Sequence, residues 1–149
     1  MQQNSQKSEN TEFLNKVYKN SKAGSDAISY LKDKITDQSL MSDLQYQHSQ
    51  YQEIQSRVSK ELSKNGEFPK EQSPVSQIGM WSGVQLNTLL DKSPDKIAEM
   101  MMQGSTMGII DMARTLKEYP DIPDSSRKIG EDLIKLEENS MQKMKSYLS

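Results

Sequence analysis

The chain holds a single histidine, and its surroundings are where chemistry would first be sought. His48 has Gln45 three residues before it and Tyr51 three after it, with Glu53 a little further on. On a helix, residues three apart share a face, so an amide, an imidazole and a phenol stand close together. That set suits a metal ligand or a proton acceptor; the plainer reading is a histidine that only packs and hydrogen-bonds. Other carboxylates on predicted helices are Glu99, Asp111 and Glu138. A pair of metal ions held between four helices needs a Glu from each of two helices and a Glu-x-x-His from each of the other two. Here Gln45 stands where the Glu before His48 is required, and Met141 stands where the His after Glu138 is required. One histidine cannot complete two such motifs. The sequence therefore predicts no catalytic residue and no cofactor. If iron or another metal binds, the candidate ligands are His48, Glu53, Glu99, Asp111 and Glu138.

Methionine offers a second chemistry. Met100, Met101, Met102, Met107 and Met112 crowd one stretch, and Met141 and Met144 another. Thioethers are soft ligands that suit Cu(I). Three consecutive methionines point in three directions on a helix, however, and flexible core filling is the reading that fits them. Gly104 and Gly108, four apart, share a helix face and permit close approach of a neighbour. The space beside them would take Tyr18, Tyr30, Tyr46 or Tyr51, or else a small ligand. Gln103-Gly104-Ser105-Thr106 lacks the lysine and glycine pattern of a phosphate loop.

These residues need elements to position them. With 149 residues the chain suits one domain, and only 33% of them are hydrophobic. Such a composition supports a narrow core lined by amphipathic helices. The net charge of −2 comes from interspersed charges, which argues against a nucleic-acid partner. Without cysteine there is no disulfide, zinc–thiolate site or thiol catalysis. No apolar run is long enough for a membrane span and the start has no secretory pattern, so the expected location is the cytoplasm.

Residues 1–10 are polar and expected to be a disordered tail, leaving 11–149 as one domain. A first helix is predicted from residue 11 or 12 to about 35. Its seam is Leu14, Val17, Ser21, Gly24, Ile28, Leu31 and Ile35, with Ser21 and Gly24 admitting a close neighbour or a bulky side chain. A second helix over 39–64 carries Leu40, Leu44, Gln47 or His48, Tyr51, Ile54, Val58 and Leu62, and Gly66 suits a left-handed residue just past its end. Residues 67–92 form a long connection stiffened by Pro69 and Pro74, with a short helix over 74–90 and Trp81 covering the bundle. The third helix opens at Ser93 as N-cap, with Pro94 and Asp95 behind it, and closes at Tyr119 before Pro120. It is apolar on most faces and is expected to be the central helix. The fourth follows Pro123, capped by Asp124 or Ser125, with a stripe of Ile129, Leu133, Leu136, Ser140, Met144 and Tyr147 or Leu148.

Four long helices with one long crossover between the second and third define an all-α, ferritin-like four-helix bundle. Residues 12–148 also resemble a bacterial family of ferritin-like proteins of unknown function. The resemblance lies in the order of elements and in particular stretches: Lys64 to Pro69 followed by Ile78 to Trp81, Lys96 to Gly104, and Leu136 to Met144. It implies the fold. Metal-binding members of that family carry acidic residues where this chain has Gln103 to Thr106, and a histidine where it has Met141, so the resemblance also implies lost di-metal ligands. The functional expectation is a non-catalytic protein with a structural, stress-related or partner-binding role. A homodimer is expected through apolar flanks such as Trp81 and Leu86. The alternatives are an atypical iron-oxidising or iron-storing protein and a small-molecule binding module.

Overall fold

The computed structural model describes residues 2–70 and 91–149, with side chains from residue 7 onward. The expected crossover helix with Trp81 and Leu86 lies outside the described residues. Among those described, all regular structure is helical: α1 (Gln2–Leu31), a 3-10 turn (Lys32–Lys34), α2 (Gln38–Ser63), α3 (Pro94–Glu118) and α4 (Asp124–Lys145). No helix among them is long and apolar enough to cross a membrane.

The ends follow their local chemistry. Asp37 caps α2 by accepting from the Leu40 amide at 2.8 Å, and Ser93 caps α3 through the Lys96 amide at 3.3 Å. Pro94 takes the first helical position of α3, where its missing N–H costs nothing. Gly66 ends the α2 region with φ +70°, the left-handed conformation expected of it. The start of α1 differs from expectation. Helix runs from Gln2, where a disordered tail had been expected through residue 10. No Gly or Pro interrupts residues 2–23, and Asn10 is already buried, so nothing in the sequence stops the helix upstream. The 3-10 turn replaces the last predicted turn of that helix, leaving Ile35 in extended backbone, buried beneath the α1–α2 corner.

Side-chain bonds between helices set the topology. Lys16 pairs with Glu118 at 3.2 Å, Tyr119 Oη donates to Glu12 at 3.1 Å, and Asn20 Nδ2 donates to the Gly108 carbonyl at 3.1 Å, so α1 and α3 are antiparallel. Ser39 meets Tyr147 at 2.8 Å, Arg57 pairs with Asp132 at 3.0 Å, and Ser125 donates to Glu61 at 3.0 Å, so α2 and α4 are antiparallel as well. Helices α1 and α2 form one tight hairpin and α3 and α4 a second, and these two pairs make the most extensive contacts. It follows that α2 and α3 run in the same direction, and that α2 ends at the opposite end of the bundle from where α3 begins.

Every residue of the predicted α1 seam is buried, and on α2 the seam passes through Gln47, leaving His48 at the edge. The expectation of a central α3 is not met. Its inner face is Ile97, Met100, Met101, Gly104, Ser105, Gly108 and Met112, whereas Met107 and Ile110 are about half exposed. Helix α3 occupies one corner of the bundle like the other three, and its apolar surplus faces outward.

Candidate functional site in the bundle core

Halfway along the bundle the apolar core is interrupted by polar side chains from all four helices. Helix α2 supplies Gln47 and Tyr51, one turn apart on its buried stripe. Helix α4 supplies Glu137, which continues the regular buried series Leu133, Glu137, Ser140, Met144. Helix α3 brings Ser105 and Gly108, and α1 brings Asn20 and Gly24. Tyr51 reaches the centre because Gly24 has no side chain: a Cβ there would collide with the Tyr51 ring. The small residue read from the α1 seam thus has a specific occupant. Gly108 does the same on a smaller scale. A Cβ on it would lie 3.3 Å from Asn20 Oδ1 and 3.4 Å from Glu137 Cδ.

Glu137 is fully buried. Tyr51 Oη donates to Glu137 Oε1 at 2.5 Å, and Gln47 Nε2 donates to Tyr51 Oη at 3.0 Å. The Ser105 hydroxyl is a further partner of both Tyr51 and Glu137. Among the described residues no cation lies against the carboxyl. Burial therefore dominates and raises Glu137 from 4.5 to about 7, with the Tyr51 and Ser105 hydrogen bonds restraining the rise. Burial also pushes Tyr51 well above its ordinary value, and the negative charge of Glu137 adds to that. The Tyr51 phenol therefore stays neutral through the neutral pH range, and Glu137 is the group of the pair that exchanges a proton there. Glu137 Oε2, Asn20 Oδ1 and Gln47 Oε1 have no hydrogen-bond partner among the described residues.

The five residues singled out as candidate ligands do not come together. His48 is partly buried at the α1–α2 seam, 3.2 Å from Ser29 Oγ, and burial lowers its pKa below 6.5. Glu53 and Glu138 are exposed. Glu99 pairs with Lys96 at 3.0 Å on the surface. Asp111 lies on the α1–α3 side, accepting from Asn20 Nδ2 at 3.3 Å. Among the described residues no group of three or more His, Cys, Asp or Glu side chains is placed to hold a metal ion. Met100, Met101, Met112 and Met144 are buried in the apolar core, as core filling requires.

The buried carboxyl is Glu137, one residue from the candidate Glu138. The predicted α4 stripe takes Leu136, which is only partly buried, where the structure has Glu137. The signal was present in the spacing. From Leu133 to Ser140 a continuous stripe needs a member at 136 or 137, and 137 keeps the four-three-four rhythm through Met144.

Comparison with protein-family models, with curated proteins and with solved structures finds no match to this chain.

Proposed function

We propose that this chain is a non-catalytic ferritin-like bundle with a structural or partner-binding role, and that its polar centre serves to fix helix register. The observation that carries this reading is the Gln47–Tyr51–Glu137 chain of hydrogen bonds in the fully buried core. In ferritin-like di-metal proteins the middle of the bundle is where carboxylates and histidines converge on metal. Here that level is filled by a tyrosine ring seated on Gly24 and by one carboxyl held by neutral donors. The antiparallel pairings and the common direction of α2 and α3 support the ferritin-like arrangement.

A buried polar network contributes specificity when every alternative packing would leave its members unpaired. Sliding α2 by one residue would remove Tyr51 from Glu137 and bring an exposed side chain, Gln52, inward. Such a slip strands a buried carboxyl, which is costly. The register role follows from that asymmetry.

The test is elemental analysis of protein purified without chelator, repeated after Fe(II) is added under air. The expected result is no stoichiometric metal, with no change in the Glu137→Gln variant. Retention of about two metals per chain, the stoichiometry of a di-metal bundle, together with loss of that metal in Glu137→Gln, would overturn the proposal in favour of an atypical iron protein.

A further inference from the structure

We propose that the outer face of α3 is the contact of a weak antiparallel homodimer, in which a second copy of this chain lays its own α3 against it across a two-fold axis.

A helix at the corner of a bundle ordinarily turns charged residues to solvent. Helix α3 does not. Residues 100–110, about three turns, hold no charged side chain on any face. The core uses one side of this stretch through Met100, Met101, Gly104, Ser105 and Gly108. On the other side Met107 is 50% exposed and Ile110 45%, with Gln103 and Thr106 exposed beside them. Scattered singly, such residues need no explanation; gathered in one uncharged strip they mark an interaction surface. The outward residues also keep a regular rhythm. Glu99, Gln103, Thr106, Ile110, Ala113 and Lys117 follow one another at spacings of four, three, four, three and four. That alternation is the seam of two helices packed along their length. It is separate from the seam that α3 spends on its own core.

The order of side chains along this seam names the occupant. Laid antiparallel on itself, the seam is self-complementary, as a two-fold contact requires. Ile110 of each copy meets Thr106 of the other, Ala113 meets Gln103, and Lys117 meets Glu99. Met107 of both copies flanks the middle. Thr106 and Ala113 are small enough for close approach, and the Thr106 hydroxyl already donates to the Met102 carbonyl at 2.9 Å, so covering it strands nothing. The two ends carry opposite charges. Glu99 makes a surface pair with Lys96 at 3.0 Å, and Lys117 has no ion-pair partner among the described residues. A parallel pairing would set Glu99 against Glu99 and Lys117 against Lys117, which is repulsive. The seam runs roughly 27 Å along the helix and is one helix wide, so the contact covers on the order of 500 to 1,000 Å² in total, below the size of a stable dimer. The pair is therefore weak and reversible.

The experiment is sedimentation equilibrium of the full chain at concentrations up to about 1 mM, where contacts of this size are populated. A reversible monomer–dimer equilibrium is expected. Ile110→Glu puts a charge in the middle of the seam at a half-exposed position, so the fold, followed by circular dichroism, is kept, and only monomer is expected. The charged ends give the decisive arm. Glu99→Lys and Lys117→Glu each set like charges against one another at both ends of their own dimer, and each alone is expected to associate about tenfold more weakly than the parent. Mixed together, the two variants restore an opposite-charge pair at each end, and the mixture is expected to associate as the parent does. A role of these residues in folding alone would give no rescue by mixing. A parent that stays monomeric throughout, an Ile110→Glu variant that dimerises as the parent does, or a mixture no tighter than either variant alone would overturn the contact. The surface lies outside the polar core, so these outcomes and the metal analysis of Glu137→Gln are decided independently.

Discussion

Replacing Glu137 by Gln removes a titrating group from the core while keeping its shape, so it isolates what the proton on that carboxyl does for stability. In the unfolded chain the group titrates near 4.5, and in the bundle near 7. The folded state therefore holds the proton more tightly than the unfolded state. The stability associated with it is fully present below pH 4.5 and is lost as the pH rises through 7. Each pH unit of that interval corresponds to about 1.4 kcal/mol. Between pH 5 and pH 8 the contribution of Glu137 falls by about 2 to 3 kcal/mol, or roughly 5 to 10 °C in melting temperature for a chain of this size. Other groups titrate nearby. Burial lowers His48, whose effect has the opposite sign because its stability is lost as the pH falls below 6.5. Burial alone would raise Asp132, but its bonds to Lys128 and Arg57 hold it below 3.8, so it acts under the window of interest. Both groups are the same in the parent and in Glu137→Gln, and the difference between the two proteins cancels them. The assay is urea unfolding of both at pH 5, 6, 7 and 8. Glu137→Gln is expected to gain on the parent by about 2 to 3 kcal/mol from pH 5 to pH 8. Parallel curves, with a difference constant to about 0.5 kcal/mol, the usual scatter for independent sites, would refute a buried, proton-exchanging Glu137.

Tyr51→Phe leaves Glu137 Oε1 and Gln47 Nε2 without their shared partner, and a loss of about 1 to 3 kcal/mol is expected by chemical denaturation. Gly24→Ala forces a methyl group into the Tyr51 ring and is expected to cost about 1 to 3 kcal/mol; an unchanged melting temperature would show that the ring does not rest there. Asp37→Ala removes the cap of α2 and is expected to cost about 1 kcal/mol, with the loss absent in Asp37→Asn.

The start of α3, the end of α2 and the α1 seam were legible because caps and periodicity are local, whereas the start of α1 and the cap of α4, which is Pro123 and not Asp124 or Ser125, were not. Ser93-Pro94-Asp95 and Asn65-Gly66 mark their positions regardless of what packs on them. The α1 seam could be read whole because small and large residues alternate on it at helical spacing. The polar centre was harder. A stripe is recognised by its apolar members, and Glu137 interrupts one, with the apolar Leu136 on one side of it and the exposed Glu138 on the other. What buries Glu137 is the phenol of Tyr51, from a residue 86 positions earlier in the chain, and no local pattern reports that partnership. His48 drew notice by its rarity, while its neighbour Gln47, an ordinary residue, occupies the inward position. The α1–α3 and α2–α4 pairings are equally invisible locally, since they rest on side chains such as Lys16 and Glu118 that would suit any surface.

The hydrogen bonds of the core join one hairpin to the other: Tyr51 to Glu137, and Asn20 to the Gly108 carbonyl. A second copy of one hairpin cannot satisfy these groups: paired α3–α4 hairpins hold no Tyr51 for Glu137, and paired α1–α2 hairpins hold no Glu137 for Tyr51. The two hairpins are therefore complementary halves in the manner of a plug and socket. If the chain were cut between residues 70 and 91, the fragments should sort into mixed pairs and leave few of the self-paired kind. The polar centre thus acts as a recognition code between two parts of one molecule.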